Sequence, residues 1–470
     1  MQERWFGLAV LLCFTGIARA ADWPMWGRDI ARNMVSAELG LAHDFAPGEP
    51  KAGGDEIDPA TTRGVKWVAK LGSQTYGNPT VAAGRVFVGT NNDSPRDPAV
   101  IGDRGVVMCF EQATGRFIWQ LAEPKLAAGN WCDYEGIGIC SSPSVDGSHV
   151  YFVTNRCEVV CLEAADGRVV WRYDMRDELG VFPHQATSSA VLVLGDRVFV
   201  TTSNGIDGRE HMPSPLAPAL ICLDKKSGRL LGQERSGISR RTFVCNWSSP
   251  AAGEVNGKQV VFFGGGDGFC YAFDPEPVDG TLRELWRYDC NPPHRRVKDG
   301  QPIRYGREAG PSEILATPVF HEGRIYVATG QNPERGDGDG ALSCIDAASG
   351  RLIWLFDQIG RSLSTVSVAD GLLYIGDYRG YVYCLDAAGG QLLWKHDTQG
   401  AIWGSTLVAD GKVYVGSEAG FTILVAGREK RVIGQIDFGG PVYSSPVVAN
   451  GVLYVATERN LYAIDGKETR

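Results

Sequence analysis

Any chemistry in this chain has to come from its cysteines, histidines and carboxylates, and their spacing is poor in known catalytic patterns. The seven histidines form neither His-x-x-x-His nor His-Glu-x-x-His, and no Cys-x-x-Cys-His haem attachment occurs. Asp337-Gly338-Asp339-Gly340 opens like a calcium loop but lacks the closing Glu of an EF-hand. Asp337 and Asp339 are therefore only a weak calcium pair, and a solvated turn is the competing reading. Gly264-Gly265-Gly266-Asp267 has the composition of a phosphate cradle, yet it falls in a hairpin turn with no helix after it to supply an anion-binding N-terminus. His184, His211 and His294 lie in long connections, as do Arg307, Glu308 and Glu313. No spacing singles out an acid, a base or an anion clamp among them.

The cysteines separate into two groups once a repeated phrase is recognised. A small residue or Cys, then an acidic residue, then Gly, then Trp four positions later recurs as Cys109, Glu111, Gly115 and Trp119. It returns through Cys161 to Trp171, Cys344 to Trp354 and Cys384 to Trp394. A period of tens of residues marks a repeat architecture. Cys109, Cys161, Cys222, Cys344 and Cys384 share one position, filled by Ala272 and Ala463 elsewhere, so the site wants a small buried residue. Cys132, Cys140, Cys157, Cys245, Cys270 and Cys290 remain as candidates for disulfides, with connectivity open and Cys132–Cys140 the first pair to test.

The elements that would position these residues are strands. Sixty glycines and many short Val/Tyr/Phe runs point to an all-β chain. Asp370-Gly371, Asp410-Gly411 and Asn450-Gly451 each lie between apolar runs, the turn chemistry of tight hairpins. Each unit reads as four antiparallel strands, the third ending at the Cys-x-acidic phrase and the fourth at the Trp. Entries near Pro79, Pro143, Ser189, Pro250, Pro318, Val366, Thr406 and Pro446 give an eight-bladed β-propeller over residues 65–465. The last unit stops at Tyr462-Ala463-Ile464-Asp465 without a fourth strand, and Val65-Lys66-Trp67-Val68 is an orphan that would supply it. Gly232 and Gly434 stand where Trp is expected, so those junctions should be looser or filled from elsewhere.

Outside the repeat, residues 1–20 read as an export signal. Leu8 to Ile17 is too short to span a bilayer, and Ala18-Arg19-Ala20 has small-x-small cleavage spacing. Residues 21–64 would form an extension packed on the propeller, and 466–470 a tail. The chain is expected in the periplasm or outside the cell, monomeric and without a transmembrane anchor. Its formal net charge of −9 argues against a nucleic-acid partner.

Blade topology separates two faces. Turns between first and second strands are short, whereas 91–104, 129–140, 204–218, 237–245, 290–312 and 331–340 are long and fall on the other face. One-sided insertions mark a binding face for a protein or small-molecule ligand. Three residues before the blade entries lie Tyr76, Cys140, Trp247, Leu315, Leu363, Trp403 and Tyr443, with His184, Asn246, Glu313 and Arg361 as nearby polar groups. These would line the channel mouth and suit a flat or sugar-like ligand or an inserted peptide. The alternative is that the aromatics plug the channel as core.

The Asp-Ala-x-x-Gly-x-x-x-Trp phrase, as in Asp346 to Trp354 and Asp386 to Trp394, resembles the tryptophan-docking repeat of pyrroloquinoline-quinone (PQQ) propellers. Asp22-Trp23-Pro24 with Trp26-Gly27 resembles the mature N-terminus of secreted proteins of this type. That superfamily includes quinoprotein alcohol dehydrogenases and the non-enzymatic propeller lipoprotein of outer-membrane protein assembly. Its enzymes imply PQQ, a calcium ion, an Asp base and a disulfide between adjacent cysteines opposite a stacked Trp. No adjacent cysteines occur here, and no attached cytochrome region is evident. The reading is an exported, non-catalytic binding or scaffolding propeller with no assured cofactor. The alternative is a PQQ- and calcium-dependent oxidoreductase acting on an alcohol or sugar.

Overall fold

The computed structural model describes residues 21–306 and 310–466; the signal sequence expected at 1–20, together with Arg307 and Glu308, lies outside them. Eight antiparallel sheets of four main strands form the ring. The last is Val447–Ala449, Val452–Ala456 and Asn460–Ile464, completed by Val65–Lys70 with Val68 opposite Tyr462. The N-terminal strand thus completes the last blade before the chain enters the first, which closes the ring.

The repeated phrase is a docking device between neighbours. Each Trp indole donates to a backbone carbonyl of the next blade: Trp67 to Gln112 (3.0 Å), Trp119 to Ala164 (3.1 Å), Trp171 to Lys225 (3.0 Å), Trp286 to Ala347 (3.0 Å), Trp354 to Ala387 (3.2 Å) and Trp394 to Gly427 (2.9 Å). In five of these six junctions the Gly of the receiving phrase has φ near +70° and lies under that ring. A Cβ on Gly350 would sit 2.7 Å from Trp286, and one on Gly167 2.7 Å from Trp119. Across the strand pair the Trp faces the small residue, as Cys109 faces Trp119 and Ala463 faces Trp67. This explains why Cys and Ala interchange there.

The two junctions without Trp are filled from elsewhere. Beside Gly232 lies Pro277, carried by the insertion before Trp286, whose Thr281–Leu282 strand adds to Leu230–Glu234 in the preceding blade. Gly434 faces the larger Ile423, and the carbonyl of His43 from the N-terminal extension covers it.

Residues 21–38 run beneath the ring on the short-turn face and bond to the blades in order. Trp23 pairs with Val81, Pro24 accepts from Val145, and Ile30 and Ala31 accept from Ala252 and Phe320. Asn33 makes a reciprocal pair with Val368, Val35–Ser36 adds a parallel strand to Leu407–Ala409, and Glu38 receives the Asn450-Gly451 turn. At the centre lies Arg32, fully buried. It donates to the carbonyls of Trp26 (2.6 Å), Pro250 (2.9 Å) and Val191 (3.0 Å). Burial lowers its proton affinity to about 9, so it stays charged at neutral pH.

All eleven described cysteines are buried with free thiols, Cys132 and Cys140 among them. Cys132 lies near Cys157 and Cys290 near Cys270, where they disfavour ionisation of Cys157 and Cys270. Asp337 and Asp339 are held by Arg379, at 3.7 and 2.9 Å, and no group of three metal-ligating side chains occurs among the described residues.

Candidate functional site

The channel is a cup of about 410 Å³ that opens on the long-loop face. Its floor is Trp26, brought in by the N-terminal segment, with the indole donating to Thr317 Oγ1 at 3.0 Å. Around that floor, at six of the eight junctions, the residue before the innermost strand passes a hydrogen bond to its neighbour. Asn78 N–H donates to Ser142 (3.2 Å), Ala190 to Ser249 (2.9 Å), Thr317 to Thr365 (3.1 Å), Thr365 to Ser405 (2.8 Å), Ser405 to Ser445 (2.7 Å) and Ser445 to Asn78 (2.6 Å). The last bond closes the collar between the eighth and first blades. A short polar side chain is needed because the entering backbones leave N–H groups that no sheet pairs.

The walls are aromatic and apolar. Tyr76 stacks on Tyr443 at 5.0 Å, and Trp403 lies 5.5 Å from Tyr76 and 5.3 Å edge-on to Tyr443. Trp403 is fixed by its indole donating to Glu418 at 2.9 Å. Across the cup stand Trp247, Leu315, Leu363 and Cys140. Burial pushes the Cys140 thiol up to about 12, so it is uncharged, and it raises Tyr76 further above its ordinary range. The buried indole N–H of Trp247 has no partner among the described residues.

The rim carries the polar groups, chiefly from the 129–140 and 331–340 loops. Asn332 donates to Gln185 Oε1 at 3.0 Å, and Gln185 donates to Glu334 at 2.9 Å. Behind them His184 Nδ1 lies 2.7 Å from the Ile206 carbonyl and must carry the proton there. Its Nε2 is then an acceptor for Asn332 at 3.3 Å. Burial lowers the His184 pKa, which keeps the ring neutral. The charged residues lining the cup are Glu135 and Glu334; among the described residues no Lys or Arg does so.

Of the residues anticipated at the mouth, Tyr76, Trp247, Trp403 and Tyr443 line the cup, half-buried, whereas His184, Asn246, Glu313 and Arg361 sit behind it. Asn246 is spent on the Gly266 N–H, the Asn204 carbonyl and Thr242. Arg361 donates to Ser312 and to the Gly306 carbonyl. Glu313 accepts from Tyr305 at 3.2 Å, while its second oxygen has no partner among the described residues. Full burial pushes its carboxyl up to about 8, so it is largely protonated at neutral pH. Sequence position missed Trp26, Gln185, Asn332 and Glu334; the clue was that the last three lie in or beside the non-repetitive loops.

Glu135 and Glu334 are oxygen donors of the kind calcium takes, but the lining has no Lys or Arg to receive PQQ itself. The quinone carries three carboxylates, and the cup meets them with two more. Arg361 is 1% exposed with its donors engaged, and Arg335 is paired with Glu210 at 2.5 Å.

The comparisons with known proteins agree with the fold. The quinohemoprotein alcohol dehydrogenase of Comamonas testosteroni superposes with a TM-score of 0.66 at 15% identity, covering 97% of this chain and 82% of that one. BamB from Moraxella catarrhalis gives 0.57 at 16% identity, over 86% and 98%. In sequence, the quinohemoprotein alcohol dehydrogenase ADH IIB of Pseudomonas putida is 28% identical over 158 residues, which span 32% of this chain and only 20% of that protein. Overlapping matches to one family model cover residues 103–332, 267–380, 338–433 and 378–470. The chain belongs to the family described as outer membrane protein assembly factor BamB.

Proposed function

We propose that this propeller is an exported, non-catalytic binding module whose cup takes an uncharged or cationic small molecule with a flat apolar face, a sugar ring being the simplest example. The carrying observation is the lining: four half-buried aromatics above a Trp26 floor ringed by hydroxyls, with carboxylates as its charged groups. Aromatic faces stack on the C–H faces of such ligands, while hydroxyls and amides read their polar edges. The volume falls within the roughly 300–1,000 Å³ of small-molecule sites. An anion would meet Glu135 and Glu334 without compensation.

Calorimetric titration with neutral, cationic and anionic saccharides tests this reading. Saturable binding of a neutral or cationic member, weakened at least tenfold by Trp403→Ala at unchanged thermal midpoint, is expected. Preference for anions, or loss of stability on truncating Trp403, would show that the cup has another purpose or that the rings are core.

A further inference from the structure

The most specific unexplained polar group lies at the start of the described chain. The Ala21 nitrogen is 3.1 Å from Glu38 Oε1. The same carboxylate receives the N–H groups of Asn450 at 2.9 Å and Gly451 at 2.5 Å, in the first turn of the last blade. Glu38 is only 5% exposed and has no Lys or Arg partner among the described residues. A buried carboxylate needs a cation or a full set of donors. Asp22 fixes the neighbourhood by accepting from Ala83 N–H (2.9 Å) and Asn450 Nδ2 (2.9 Å). Independently, Ala18-Arg19-Ala20 places a leader-peptidase bond between Ala20 and Ala21.

We propose that Glu38 is the receptor for the α-ammonium group created when that bond is cut, so that leader removal locks residues 21–38 beneath the ring. Water adds to the Ala20 carbonyl carbon and the C–N bond breaks. Ala20 leaves as a carboxylate, Ala21 becomes an ammonium ion, and nothing is oxidised or reduced. One neutral amide donor is thereby replaced by a cation facing a buried anion. The other groups facing Ala21 are Asp22 on its own segment and Tyr454 on the last blade, where Tyr454 senses both Glu38 and Asp22.

The test starts with intact-mass measurement of the exported protein, which should begin at Ala21; a different first residue overturns the proposal. Mature protein is then compared with its Nα-acetylated form, in the natural chain and in Glu38→Gln. Amide exchange over residues 21–38 should accelerate roughly tenfold or more on acetylation when Glu38 is present. In Glu38→Gln acetylation should change little. Equal effects in both backgrounds overturn the lock. If Glu38→Gln does not fold, the natural chain decides alone. The amine pKa is raised by its partner above the ordinary range near 7.7–8.0, so the stability gap between free and acetylated forms is full below that range and closes as pH rises through the raised value. A gap independent of pH from 7 to 10 contradicts the proposal.

Discussion

Replacing Arg32 by Met tests how far the N-terminal segment holds the ring. Met keeps most of the stem volume but strands the carbonyls of Trp26, Val191 and Pro250, which now receive the guanidinium at 2.6–3.0 Å. Leaving a buried acceptor unsatisfied costs about 1–3 kcal/mol, so three would cost roughly 3–9 kcal/mol. Recovering the desolvation of a buried charge offsets part of that, and detachment of the segment caps the loss. We expect about 3–6 kcal/mol. Unfolding entropy of about 2 cal/mol/K per residue then converts this to a fall of roughly 3–6 °C in the thermal midpoint. Scanning calorimetry with limited trypsinolysis is the assay, because Arg28 lies in the same segment and should become cleavable before the blades melt. A midpoint within about 1 °C of the natural protein, with Arg28 still protected, would refute the idea that this arginine staples the ring.

Three further outcomes follow from the same geometry. Gly350→Ala drives a Cβ to 2.7 Å from Trp286 at φ +69°, whereas Gly371→Ala at φ +73° meets open space; urea unfolding should show the first costing about 2–4 kcal/mol and the second about 1. Because the Glu313 carboxyl is pushed up to about 8, the folded state holds a proton that the unfolded chain loses near pH 4.5. Stability should therefore fall by on the order of 1 kcal/mol per unit between about pH 5 and 8 and level off above, and Glu313→Gln should abolish that slope. Under mild oxidation, non-reducing peptide mapping should find Cys132 joined to Cys157 and Cys270 to Cys290, with Cys140 and Cys245 still thiols; a Cys132–Cys140 bridge would contradict the arrangement.

The blades and their closure were readable because the repeat exposes its own packing rule. Five of the docked Trp rings lie over a Gly of the next blade and face a small residue across their own hairpin, as Trp119 does with Gly167 and Cys109. Aromatics at a fixed offset from the entries were readable for the same reason, and all four line the cup. What escaped has no period. The circuit of residues 21–38 is held by backbone bonds to six blades and by the side chains of Arg32 and Asn33 to the other two, which no local pattern encodes. His184 and Arg361 fall at plausible positions, but their donors turn outward to Ile206 and Gly306. Asp337 and Asp339 are neutralised by an arginine forty residues away in sequence, in the next blade.

The central claim is that this propeller keeps the ring of the quinoprotein enzymes but presents a cup suited to binding rather than to their cofactor. Titration of the purified mature protein with PQQ in the presence of calcium, followed by calorimetry and by dye reduction with alcohols and aldoses, tests it most directly. No saturable PQQ binding in the micromolar range and no turnover are expected. Micromolar binding that Trp247→Ala abolishes, accompanied by substrate-dependent dye reduction, would contradict it.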